Sequence, residues 1–327
     1  MIALFALSSC KQTSEKAIKK QETDAPLKSV RFTYQEVKGI GHDSLFNRRD
    51  NSDIIQVDGT YYVWYTKMES PQTAGYWGSI WYATSVDEGL TWKEQGMALG
   101  LGREGKFDSQ SVFTPNILTY EGRYYLYYTG VKPTPGNKDH IFENNSINDI
   151  TAIGLAVADH PKGPFKRVEN NPILEISQTP EAFDSYRIDD ASLLVRDDKI
   201  GLYYKGRSII HGKQGPSKTQ MGVAYAQRPE GPYVKHDAPL LDKSHEVLIW
   251  KKDKGVAALA SISSSISYAE DGIHFITLHD SLTDIPQAPG LYRPDLESSE
   301  HKAESPVWGI AMKGRKGLTY LTRYEMK

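Results

Sequence analysis

Three short stretches set titratable side chains at the head of apolar runs: "RRDNSDII" at 48–55, "RIDDASLLV" at 187–195 and "SHEVLIW" at 244–250. They contribute Asp50 and Asp53, Asp189 and Asp190, and His245 with Glu246. An unpaired carboxylate carried into a core is costly, so charge at these places calls for a reason. An aspartate ahead of a strand is often only a cap, and Asp58, Asp197-Asp198 and Asp271-Gly272 read as solvated turns. The other acids read as a site, because they stand at matching places of a repeat. Two carboxylates and a third proton donor suit glycoside hydrolysis, in which an acid protonates the leaving oxygen while a carboxylate activates water. A histidine can be that acid, since its pKa lies near neutrality and neighbouring carboxylates would raise it.

The repeat itself supplies the elements that must position these residues. A tyrosine-rich strand follows a turn at "DGTYYVWYT" (58–66), "EGRYYLYYTG" (121–130) and "DDKIGLYYKG" (197–206). A second unit then recurs at "ATSVDEGLTW" (83–92), "AVADHPKGPF" (156–165), "AYAQRPEGPY" (224–233) and "SYAEDGIHF" (267–275). In each, small and apolar residues reach a turn and an aromatic starts the next strand. Units beginning near residues 50, 113, 190 and 246 each account for about four strands. A fifth lies in 305–326, completed by "SVRFTYQEV" at 29–37. Four-stranded units repeated radially predict an all-β, five-bladed β-propeller over residues 29–327, closed by pairing of the N-terminal strand with the last blade. A β-sandwich is the structural alternative, but it does not predict the repeated order of motifs.

In a propeller the first strand of each blade lines the central channel, which brings the three charged heads to one mouth. Blade two opens instead with the uncharged "SVFTPNIL" (111–118). Strand alternation allows only one of Asp189 and Asp190 to face the channel unless a bulge intervenes. Matching Asp50-Asn51-Ser52 to Asp190-Ala191-Ser192 favours Asp190, whereas matching the turns favours Asp189. Alternation does not choose between His245 and Glu246.

A formal net charge of −2 in 327 residues argues against a nucleic-acid footprint. One cysteine, Cys10, rules out an internal disulfide framework. It ends "MIALFALSSC", which reads as a bacterial lipoprotein leader with Cys10 lipidated; a trimmed secretion signal is the alternative, and no positively charged segment precedes the apolar run. Residues 1–28 are therefore expected to be a signal and polar tether, and the protein an exported, periplasmic or outer-membrane-anchored lipoprotein.

The stretches "RRDNSDIIQVDGTYYVWYT", "SVFTPNILTYEGRYYLYYTG", "DDASLLVRDDKIGLYYKGR" and "HEVLIW" resemble glycoside hydrolase family 117, within the wider arabinanase and xylosidase clan. That family includes α-1,3-(3,6-anhydro)-L-galactosidases, which release the anhydro-sugar from the non-reducing end of agar oligosaccharides. The resemblance implies an exo-acting, inverting hydrolase with Asp50 as base, Asp190 (or Asp189) orienting the sugar, and His245 as acid. Glu246 would support His245 or help hold a hydrated divalent cation, no cofactor being otherwise required. Asn116, Lys205 and Arg207 are candidates to bind sugar hydroxyls, and Trp77 and Trp81 to stack on a ring. A homodimer is also implied, although the N-terminal region is short for the family's helical arm. Agar-active members carry a proline after the first aspartate and a lysine soon after. Here Asn51-Ser52-Asp53 follows, which would add a negative charge at the mouth. Two alternatives stand beside this reading: an arabinofuranosidase- or xylosidase-like enzyme with Glu246 as acid, and a sugar-binding propeller without turnover.

Overall fold

The computed structural model describes residues 30–68, 78–132, 150–296, 308–315 and 318–327. The leader, Cys10 and Trp77 lie outside the described residues. Among them, each repeat folds into one antiparallel sheet, five in all. Blade one runs outward from Asn47–Asn51 through Thr60–Met68 and Ser79–Ser85 to Lys93–Leu99. The innermost strands of the next four blades are Ser111–Tyr120, Arg187–Arg196, Val247–Lys252 and Gln287–Leu291. The ring closes as expected. Phe32–Glu36 from the N-terminal end forms the outermost strand of blade five, pairing with Leu318–Met326. No described helix is long and apolar enough to cross a membrane.

The turn aspartates do what the spacing predicts. Asp58 and Gly59 (φ 49° and 73°), and Asp197 and Asp198 (φ 50° and 56°), take the paired left-handed conformation that joins two strands tightly. The recurring aromatics form the seams between blades. Trp64, Tyr127 and Tyr203 hold equivalent positions on the second strands, and each meets the outer turn of the following blade. Trp64 sits edge-on to Phe165 at 6.1 Å, Tyr127 shares a 2.8 Å hydroxyl contact with Tyr233, and Tyr203 donates to the Gly272 carbonyl at 3.0 Å. Full burial of each such ring stabilises the seam by roughly 2–3 kcal/mol.

Candidate active site

Four of the five innermost strands carry the same irregularity. Their pairing slips between Arg49 and Asn51, Phe113 and Asn116, Asp189 and Ser192, and Gln287 and Gly290. At each slip a non-glycine residue is left-handed: Asp50 (φ 46°), Thr114 (43°), Asp190 (54°) and Ala288 (41°). A bulge of this kind breaks the two-residue alternation and re-aims a side chain. Here it turns one residue per blade into a pocket on the propeller axis, lined by Asp50, Thr114, Asn116, Asp190, Glu246 and Ala288 among others. The pocket is half open and small, about 30 Å³. Asp50 belongs to blade one, and across from it Asp190 and Glu246 belong to adjacent blades three and four.

The bulge settles which of the paired aspartates reaches the pocket: Asp190 lines it and Asp189 does not. Asp189 is buried behind the wall, accepting from Arg187 Nε at 2.8 Å and lying 3.1 Å from Lys205 Nζ. The same Nζ lies 2.6 Å from Asp190 Oδ2. Lys205 pairs in register with Asp189, a position held by Thr66 and Thr129 in blades one and two. Of these three blades, only blade three sets an ammonium beneath its bulge. Burial alone would push Asp189 up, but Lys205, Arg187 and Arg207 outweigh it and hold the carboxyl down at about 2. Asp190 goes the other way: burial, with the charges of Asp189 and Asp50, outweighs Lys205 and raises it to about 7. Lys205 itself is raised, the two aspartates overcoming burial. Two adjacent acids thus share one cation, and the inner one keeps the firmer charge.

Blade four presents Glu246 to the pocket, while His245 is not among its lining residues. The expectation that carboxylates would raise His245 is not met. Lys205, then burial, with Arg207 adding to them, lower it to about 3 despite Asp189. Its surroundings also include the Pro216 carbonyl, in the 3₁₀ segment Ile209–Lys218.

The remaining candidates are placed as follows. Asp50 accepts from Arg49 Nε at 2.7 Å. Asn116 lines the pocket, but its amide is tied to backbone: Oδ1 accepts from Asp53 N at 3.1 Å and Nδ2 donates to the Ala191 carbonyl at 2.8 Å. Lys205 is engaged by the aspartates rather than presented to a sugar, and Arg207 is buried, its stem packed where a Gly215 Cβ would stand. Trp81 lies two strands out from the axis, with Lys67 Nζ 3.8 Å over its ring, so it is not a platform at the pocket. Asp53 is not at the mouth either. It is 1% exposed and sits one layer down, accepting from Arg293 Nη1 at 2.9 Å and from Leu291 N at 2.8 Å. Arg293 also reaches the Leu193 and Ile249 carbonyls and Asp295, so one guanidinium from blade five fills the axis beneath the pocket and touches blades one, three and four.

The described residues include no group of three or more His, Cys, Asp or Glu arranged to hold a metal ion.

Sequence reading passed over two buried clasps that brace the walls. Asp108 accepts from Tyr128 at 2.9 Å and from Arg167 at 2.6 Å; Asp184 accepts from Tyr204 at 2.9 Å and from Lys235 at 2.6 Å. Each ties the segment leading into an innermost strand to that blade's outermost strand. The signal was present as a repeated "FDS", at 107–109 and 183–185.

The profile of glycosyl hydrolases family 43 matches residues 44–206, the first two blades and the inner half of the third. Over most of its length the structure is similar to Zg3597, a family 117 glycoside hydrolase from the marine bacterium Zobellia galactanivorans (28% identity, 91% of this protein and 90% of that one, TM-score 0.77). It shares its fold with a thermostable family-43 glycoside hydrolase (15%, 89% and 92%, 0.57) and with an endo-arabinase of Bacteroides thetaiotaomicron (16%, 87% and 99%, 0.51). No curated protein sequence matches this one.

Proposed function

We propose that this protein, a glycoside hydrolase by its resemblances, is an exo-acting, inverting enzyme that removes a terminal sugar from red-algal galactan oligosaccharides. The observation that carries the chemistry is the axial pocket with Asp50 on one wall and Asp190 and Glu246 on the two facing walls. Inversion needs a base on one face of the sugar and a proton donor on the other. Asp50 is assigned as the base. Asp190, poised by its shared ammonium, orients the sugar and tunes the donor beside it. The substrate class rests on the resemblance to family 117, a likeness that Zg3597, itself a family 117 glycoside hydrolase, supports over nine-tenths of both proteins.

The donor comes from blade four. The resemblance assigns it to His245, but the geometry favours Glu246, which lines the pocket while Lys205 keeps His245 from holding a proton near neutrality. Asp50→Asn is expected to abolish hydrolysis with the fold intact. Glu246→Gln should lower kcat by about 10²–10⁴-fold and His245→Ala much less; the reverse order would give the proton to His245. Products are to be screened over neutral and sulfated agar and carrageenan oligosaccharides, beside arabinosides and xylosides. Release of only arabinose or xylose would overturn the galactan reading. Binding without any product would leave a sugar-binding propeller. Export as a lipoprotein through Cys10 and assembly as a homodimer belong to the same proposal. Metabolic lipid labelling tests the first, and molar mass by light scattering the second.

A further inference from the structure

At one register position the tyrosine-rich strand of blade three lacks a side chain that blades one and two both have. Tyr62 and Tyr125 occupy it in blades one and two, two residues before Trp64 and Tyr127; in blade three, two residues before Tyr203, stands Gly201. Tyr62 lies nearly parallel to Trp64, at 6.1 Å and 20°. Over Gly201 that ring is missing. Beside Gly201, at the seam of blades three and four, lies a half-open cavity of about 210 Å³. It lies by the Asp197-Asp198 turn, the end of the blades opposite the axial pocket.

The walls are mixed in chemistry. Tyr203 and Tyr225 flank Gly201, a Cβ on which would lie 3.1 Å from one ring and 3.4 Å from the other. Arg196 and Lys199 bring donors and Asp197 and Asp271 bring acceptors, with Arg196 Nε already 3.1 Å from Asp197 Oδ2 and Asp271 already accepting from Ile273 N, His274 N and the His274 ring. Gly272 keeps the far side open, since a Cβ there would come within 3.3 Å of Arg196 Nη1. That nitrogen is buried with no hydrogen-bond partner. Two cations stand against two carboxylates, one of them already paired with His274, so the lining carries no strong net charge and suits an uncharged ring with hydroxyls at its edge better than an anion. Blade one shows that this register accepts a flat face against the aromatic two residues on.

We propose that this slot is a second, non-catalytic saccharide site that takes one pyranose residue, its apolar face toward the tyrosines and its hydroxyls on Arg196, Lys199, Asp197 and Asp271. The slot itself follows from the missing ring; only the sugar's identity, a galactan unit, rests on the function proposed above. The test is calorimetric titration of the full-length protein carrying Asp50→Asn, with methyl galactoside, methyl xyloside and agar oligosaccharides. Two sites are expected on the oligosaccharide and one of them should vanish in Gly201→Tyr, which restores the ring of the other blades. Tyr225→Ala should weaken the same site about tenfold and keeps the test open if Gly201→Tyr misfolds. In the background with Asp50 intact, both variants should cleave short oligosaccharides at the parent rate. A single site throughout, or two sites unchanged by either variant, overturns the proposal. A slot that binds xyloside but no galactoside supports it and counts against the galactan reading.

Discussion

Lys205 shows how much one side chain does when it replaces a threonine of the repeat. Its ammonium lies between two buried carboxylates and decides which of them holds its charge. The consequence is a titration near pH 7 assigned to Asp190, which a pH profile of kcat/KM should contain. Lys205→Met removes the main downward influence there, so that limb is expected to move up, and Lys205→Arg to bring it most of the way back. A limb that stays put in Lys205→Met would remove Asp190 from the titration. Stability follows opposite signs for the two acids. Asp189, held low, stabilises the fold above the ordinary carboxylate range, and that contribution is lost as pH falls toward 2. Asp190, held high, contributes below the ordinary range and loses it as pH rises through about 7. The sequence made both aspartates visible, and their ambiguity was real: alternation predicts one inward side chain of two, and a bulge is invisible to a period of two.

At the scale of the strand, the bulge is the device that builds the pocket, and it carries a strain. A residue with a Cβ in the left-handed region costs roughly 1–2 kcal/mol. Asp50 and Asp190 accept that cost where they reach the pocket, but Ala288 has no polar group to gain from it. Ala288→Gly is therefore expected to stabilise the protein by about 1 kcal/mol in urea denaturation, with the unfolding slope unchanged. A loss of stability would mean that the Ala288 methyl packs usefully against the pocket wall. The strands and turns were legible because Gly, Asp and alternating aromatics each have a local reason to be where they are. Blade four was less so. Its innermost strand pairs without a slip, its charged dipeptide precedes the strand, and only the surroundings supplied by blade three separate His245 from Glu246.

The whole molecule is held at its rim and at its axis by contacts that join distant parts of the sequence. At the rim, Arg31 and Lys327 exchange backbone hydrogen bonds at 2.8 and 2.9 Å as the N-terminal strand completes blade five. At the axis, Asp53 meets Arg293 across 240 residues of sequence. That separation is why Asp53 reads from the sequence as a surplus charge at the mouth: its partner belongs to another blade, and no local pattern announces the pair. Arg293→Met leaves Asp53 and Asp295 buried without their guanidinium and is expected to cost about 3–5 kcal/mol of stability. Replacing Asp53 and Arg293 together by apolar residues should cost less than the two single changes summed, a coupling that denaturant titration of the double-mutant cycle measures.

The guanidinium on the axis also makes the pocket a cul-de-sac. Under the exo reaction proposed above, a sugar cut loose there would have no rear exit and would back out through the opening by which the next oligosaccharide arrives. Under that reaction each cleavage would end in full detachment, without processive advance along a polysaccharide, and the freed monosaccharide would compete with every new substrate end for the same doorway.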